Sequence, residues 1–209
     1  MPCPTTPGRR GGRPRLFDDE AVFAAVGHSL GRVGLRELGL SSVADELGCT
    51  QQALYKRFGS RRALLLGYAS WSSVRSAESF REVREAHRSP LAALVARVTL
   101  PAEGRHDEMF TPTSTGRLLS LRLETADDPE FRAIWERRSR THEREIVMLL
   151  GAARDAGELL EISDPHELGR TLHRALLGTV VQAVWSAEEP VEEQVRATMA
   201  AVLRPYVVV

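Results

Sequence analysis

Residues 40–58, LSSVADELGCTQQALYKRF, have the build of a helix-turn-helix. Two short helices that cross steeply need a small residue where they touch, supplied by Ala44, and a residue tolerant of positive φ in the turn, supplied by Gly48. Val43, Leu47, Cys49, Leu54 and Phe58 can then close a miniature core. Thr50 is placed to cap the second helix with its hydroxyl. The outer face of that helix is left with Thr50, Gln51, Gln52, Tyr55 and Lys56, hydrogen-bonding and cationic groups without an acid among them. Such a face suits the major groove of DNA. Tyr55, one turn before Phe58, is expected to pack its ring inward and extend its hydroxyl to a phosphate.

Outward from this motif the chain reads as all-α, with about nine helices and no alternating β-branched run bounded by turn residues. Upstream, Asp18, Asp19 and Glu20 favour a helix start, and Val22, Phe23, Val26 and Leu30 form one apolar face that Gly31 and Gly34 should end. Downstream, Gly59 and Ser60 break the motif, and a long amphipathic helix is expected from Arg61 to about Glu85. Ser89-Pro90 and Asp128-Pro129 pair a capping side chain with a proline suited to the first helical position. The expected later helices are 90 to near 101, 114–126, 129–156, 165–186 and 191–203, with a loop over 101–112. The organisation is a basic arm (1–16), a helix-turn-helix domain (17–66) and a helical body (67–209).

The 209 residues carry zero formal net charge, which would argue against a polyanionic partner if the charge were evenly spread. It is not. Residues 1–65 hold ten basic groups against six acids, a net +4, and the remainder balances it with −4. A basic module is attached to a mildly acidic body. The arm places Arg9, Arg10, Arg13 and Arg15 before any acid, and arginines on a flexible arm can enter a narrow minor groove. The longest nearly uncharged apolar stretch, Ala175 to Trp185, is 11 residues, short of the ~20 a membrane span needs. The basic N-terminal stretch lacks an apolar signal-type run, so a cytoplasmic location is expected.

These residues carry a family resemblance. Gly34-Leu35, Leu38, VADELG (43–48), Thr50, ALY (53–55), Phe58, and Ser60 with a following basic residue and Ala63-Leu64-Leu65 resemble the DNA-binding domain of the TetR family of transcriptional regulators, over about residues 16–66. The rest of the chain is similar to the family only in helix number, length and order. The resemblance implies that Thr50 and Tyr55 hold phosphates, that Gln51 and Gln52 face base edges, and that Lys56 contacts backbone or base. Arg61 stands where the family usually has Lys and would contact a phosphate. Gly39 replaces a usual Ser or Thr cap, a lost hydroxyl contact that Ser41 or Ser42 could offset, and Arg57 occupies a position usually His or aromatic. With Arg13 and Arg15 of the arm, these make the expected DNA-binding set.

In the body, Ala175 to Val184 is apolar nearly all the way round and needs two partners. Leu168, Leu172, Leu176, Val180 and Val184 can face one side and Leu177, Val181 and Trp185 another, while Val191, Val195, Met199, Val202 and Leu203 make a companion stripe. The resemblance implies that the last two helices pair with their symmetry mates, so Leu172, Leu176, Val180, Val184, Val195, Met199 and Leu203 are the expected homodimer interface. Tyr68, Trp71, Trp135, Met148 and Trp185 are candidates for lining an effector pocket. His142 with Glu145, and His166 with His173, have helical spacing but no third ligand, so neither a metal nor a cofactor is expected. No GxSxG, Walker A, GxGxxG or HExxH motif supports an enzyme.

Together these imply a dimeric repressor of a palindromic operator in double-stranded DNA, released by a small molecule. The rivals are a DNA-binding regulator without an inducer, whether activator or architectural, and an all-helical enzyme or interaction module.

Overall fold

The computed structural model describes residues 18–99, 111–185 and 189–208; the expected arm contacts of Arg13 and Arg15 and most of the 101–112 loop lie outside them. Among the described residues there are nine α-helices, one closing 3-10 turn and a single isolated bridge, Leu159 to Val207. The helices are α1 (Asp19–Val33), α2 (Leu40–Leu47), α3 (Gln51–Phe58), α4 (Arg61–Ala86), α5 (Pro90–Thr99), α6 (Pro112–Glu124), α7 (Pro129–Asp155), α8 (Pro165–Ala183) and α9 (Val191–Leu203).

Local chemistry accounts for most of these boundaries. The Asp18 carboxylate accepts from the Ala21 N–H at 2.7 Å, with Asp19 and Glu20 in the first turn, where the helix dipole favours anions. Gly31 does not stop α1 as expected. It is buried within the helix, and the burial of Val26, Leu30 and their neighbours outweighs the ~1 kcal/mol helix penalty of a glycine. Gly34, at φ 81°, ends it instead. α6 starts two residues before the expected Ser114, because Thr111 accepts from the Ser114 N–H at 3.2 Å and Pro112 takes the first helical position. α8 ends at Ala183, three residues short of the expected Ser186.

α4 has 26 residues, about 39 Å at ~1.5 Å per residue, and serves two apolar clusters. Its first half sends Leu64, Leu65, Tyr68 and Ala69 into a cluster with α1, α2 and α3, which also takes in Leu121 of α6 and Phe131 and Ile134 of α7. Its second half sends Phe80 and Val83 into a cluster with α5, α7, α8 and α9. The first core is therefore not made by residues 17–66 alone. Polar links follow the same seam: Arg62 of α4 meets Asp128 and Glu130 ahead of and within α7, and Arg117 of α6 donates to the carbonyls of Gly31 and Arg32 at the end of α1.

Candidate nucleic-acid interface

The motif closes as its sequence requires. Gly48 adopts φ 63° and ψ 33°, the left-handed conformation that costs a Cβ-bearing residue ~1 kcal/mol or more, and nothing else lies near where a Cβ would stand. The next amide, Cys49 N–H, donates to Ala44 O at 2.9 Å. Val43, Ala44 and Leu54 are buried, and Leu47, Cys49 and Phe58 pack against them half-buried. Partial burial pushes the Cys49 thiol above its ordinary pKa, so it stays a protonated apolar filler.

α3 stands proud of this core. Thr50 Oγ1 accepts from the Ala53 N–H at 3.2 Å, and Gln51, Gln52, Tyr55 and Lys56 are all exposed. Tyr55 is the correction: its ring is 60% exposed rather than packed inward. Leu54 and Phe58, one turn apart, occupy the inner side, and a residue ~100° round from Leu54 is carried outward. Arg57 turns the other way, pairing with Asp19 of α1 and lying 5.4 Å over the Phe58 ring. It ties α3 to α1, and the outward surface has no carboxylate.

The N-terminal side of α2 is less open than expected. Ser41 is exposed, but the Ser42 hydroxyl accepts from the Gly39 N–H at 3.0 Å and donates to Gly39 O at 2.9 Å. Ser42 thus repairs the backbone start that Gly39 cannot cap, and Ser41 is left as the hydroxyl facing outward. Arg61 also departs from the expectation of a phosphate contact. Its Nε donates to Leu38 O at 2.5 Å and its Nη2 to Leu35 O, so it braces the α1–α2 connection against the start of α4.

In the body, the five pocket candidates are not brought together. Tyr68 is buried in the first cluster, and Trp71 and Trp135 pack against it, whereas Met148 (52%) and Trp185 (77%) are exposed. The expected interface stripe is largely interior: Leu172, Leu176, Val195, Met199 and Leu203 are buried where α8 and α9 close the second cluster, and Val180 and Val184 are half-buried. The stripe is satisfied within one chain because α9 supplies its partner. The apolar groups α8 turns outward include Leu177 (45% exposed) and half-buried Val181, four residues apart on one face, and exposed Trp185 follows just beyond the helix end.

No group of three potential metal-ligating side chains occurs among the described residues, and no described helix is long and apolar enough to cross a membrane. His166 is exposed, and His173 lies beside His142, ring centroids 5.8 Å apart. Sequence reasoning missed a polar cluster inside the body, where Ser72 and Ser76 of α4 meet Arg97 of α5 and Arg138 and His142 of α7. Its signal was faint: two serines at i and i+4 inside an apolar helical stripe. Also unforeseen is a half-open groove of about 340 Å³ between α7 and α8, lined by residues including Arg137, Arg140, Arg144 and His166.

A helix-turn-helix mounted on a helical body, its second helix exposed and free of acids, defines a DNA-binding protein of the transcription-regulator class. Residues 28–68 match the family model described as bacterial regulatory proteins, tetR family. Over that stretch the chain carries the DNA-binding domain that this model describes. No curated protein sequence matches significantly. Among solved structures, a TetR transcription regulator from Haloarcula marismortui superposes with a TM-score of 0.74 at 18% identity, over 91% of this chain and 98% of that one. Reduced NemR from E. coli gives 0.71 at 16% identity (91% and 97%), and the SmeT–triclosan complex 0.66 at 19% (91% of each). At these identities the likeness is one of fold.

Proposed function

We propose that this protein is a ligand-released repressor that occupies a palindromic operator as a homodimer. The observation that carries the reading is the exposed α3 face, where Thr50, Gln51, Gln52, Tyr55 and Lys56 stand outward with no carboxylate among them. Gln51 and Gln52 offer amides that fit adenine edges, Lys56 a cation, and Thr50, Tyr55 and Ser41 hydroxyls for phosphates. Arg13 and Arg15 reach the adjacent minor groove. The protein acts in the cytoplasm, without cofactor and without catalysis.

The dimer forms through the outward face of α8, Leu177 and Val181, with Trp185 just beyond its end, in place of the interior stripe. A two-fold axis there must set the two α3 helices ~34 to 36 Å apart, or a multiple, to enter successive major grooves. An effector acts by favouring a body shape that breaks this spacing, and moving operator-competent protein from 99% to 1% requires a preference of ~5.5 kcal/mol for the released state. The triclosan bound to SmeT is a small molecule on a related fold.

Selection of bound fragments from random duplex DNA tests the reading. The expected product is a two-fold-symmetric consensus whose binding is abolished by Gln51→Ala with Tyr55→Ala. An unstructured pool, or a double variant that binds as the parent does, overturns it. Symmetric binding that no metabolite fraction relieves would leave a regulator without an inducer.

A further inference from the structure

Three arginines line one groove on the outside of the body. Arg137, Arg140 and Arg144 follow one another at three- and four-residue spacing, so they stand on one face of α7, and His166 in the first turn of α8 lines the groove from the other helix. Val147, which also lines it, packs on Gly169 of α8 so closely that no Cβ would fit there. The space is half-open and about 340 Å³, within the ~300–1,000 Å³ range of small-molecule sites.

The protein itself engages these cations weakly. All three side chains are exposed; Arg140 meets Glu136 at 3.5 Å, Arg144 meets the Thr141 hydroxyl at 3.4 Å, and Arg137 makes no ion pair among the described residues. An exposed pair of this kind contributes little and exchanges readily for a better partner. One carboxylate, that of Glu143, shares the groove with Thr141. This composition selects among anions. A phosphate offers three oxygens to the planar guanidinium forks, whereas a carboxylate offers two and leaves one of three cations unmatched. Glu143 disfavours a polyanion laid along the groove and, with Thr141, accepts hydrogen bonds from hydroxyl or amino groups.

We infer that the α7–α8 groove binds a small organic phosphate monoester of the sugar-phosphate and nucleotide class. Arg137, Arg140 and Arg144 hold the phosphate, Glu143 and Thr141 take the hydroxyl or amino groups, and Val147 gives the carbon skeleton an apolar contact. The arginines lie on α7 between Ile134, buried in the first cluster, and Ile146, buried in the second, so the ligand sits where that helix passes from one core to the other. His166 stands eleven residues before Leu177, about 16 Å at ~1.5 Å per residue, so the groove flanks the proposed dimer face without underlying it. Binding needs only the groove; the ester's role as effector rests on the reading of the protein as a ligand-released repressor.

The test uses the full-length protein without DNA, so that its failure leaves the operator selection untouched. Calorimetric titration compares ribose-5-phosphate, glucose-6-phosphate and AMP with ribose, glucose and adenosine, and with inorganic phosphate, at constant ionic strength set by sodium chloride. At least one ester should bind, with its unphosphorylated counterpart inert and inorganic phosphate at least about tenfold weaker. Arg137→Gln and Arg144→Gln should each weaken that ester roughly tenfold. Arg36→Gln, which removes an exposed charge between α1 and α2, should bind it as the parent does. Glu143→Gln should narrow the gap between the ester and inorganic phosphate. Because the arginines are exposed, their variants should melt within about 2 °C of the parent. The inference is overturned if no ester binds, if ester and unphosphorylated counterpart act alike, if inorganic phosphate binds as tightly as the best ester, or if both groove variants keep full affinity. An equal loss in Arg36→Gln would reduce the effect to general charge attraction and overturn it too. If no ester binds and the Arg137→Gln, Arg144→Gln double variant sediments as a monomer while the parent is a dimer, the groove belongs to a second copy of the chain instead. Should a variant fail to fold, the comparison of ester with unphosphorylated counterpart on the parent still decides.

Discussion

Arg61 separates two physical roles that a basic residue at the start of α4 can play, and replacing it by methionine tells them apart. In the structure its Nε and Nη2 donate to the carbonyls of Leu38 and Leu35, so it braces the connection between α1 and α2. A hydrogen bond to a charged group is worth about 1.5–3 kcal/mol in a part-buried setting. Because the side chain is exposed overall, the low end applies, and the pair together should be worth about 2 kcal/mol. For a chain of this size each 1 kcal/mol moves the melting temperature by about 2–4 °C, so Arg61→Met should melt about 4–8 °C lower in the absence of DNA. A phosphate contact makes a different forecast: no change in the DNA-free melt, and a log–log salt slope of operator binding shallower by about 0.9. Calorimetry of the free protein and salt titration of the complex therefore give opposite patterns. A melt unmoved within 1 °C, together with a slope reduced by about 0.9, would refute the brace and restore the phosphate contact.

Leu177→Glu with Val181→Glu places two acids on the outward face of α8 and should give a monomer by analytical ultracentrifugation with operator binding lost; a persistent dimer would exclude that face. Thr50→Ala removes the Ala53 N–H acceptor and should cost about 1 kcal/mol by denaturant titration, largely recovered in Thr50→Ser. The His142 imidazole is held well below its ordinary 6.5, by burial and then by Arg97, Arg138, His173 and Arg122, so below pH 6.5 the unfolded chain takes up a proton that the folded chain refuses. Stability should therefore be insensitive to this group above pH 6.5 and fall on acidification below it, by at most about 1.4 kcal/mol per pH unit, with His142→Gln flattening the slope in urea titrations. His173, lowered by burial against an opposing effect of Glu143, adds to the same slope in smaller measure.

The helix-turn-helix was legible because its determinants are local. Gly48 must be left-handed, Thr50 and Ser60 cap the helices that follow them, and Leu54 and Phe58 share a face by spacing alone. Proline-led starts at residues 129 and 165 work the same way, each with an aspartate in front to cap, whereas the Thr111-Pro112 start was read two residues late. What sequence left ambiguous depends on a distant partner. The apolar periodicity of α8 says that two faces are covered, but only the position of α9 decides that Leu172 and Leu176 are covered from within and Leu177 and Trp185 are left outside. Arg61 reads as a phosphate contact because nothing adjacent in sequence announces Leu35 O, and nothing adjacent announces that Arg57 pairs with Asp19. Arg97 and Arg138 are the extreme case, since arginine in a helix is solvent-facing by default and their burial follows from α4, α5 and α7 converging.

The shared first core constrains how a signal could pass between body and DNA. Leu54 and Phe58 of the motif pack in the same cluster as Leu121 of α6 and Phe131 and Ile134 of α7, so the motif has no cleavage plane of its own behind α3. Close-packed interiors resist gradual deformation, and a motif that slid across this core would leave cavities costing ~20 cal/mol per Å² of new surface. Arg117 adds a polar tie, since moving α1 away from α6 would strip the acceptors at Gly31 and Arg32. The economical motion is then a rigid one, in which α1–α3, the start of α4 and the adjoining ends of α6 and α7 turn together against the second cluster. Its pivot must lie where α4 and α7 pass between the two cores, between Ala69 and Phe80 and between Ile134 and Ile146. A small change in helix direction there becomes a large displacement of α3 at the far end of α4.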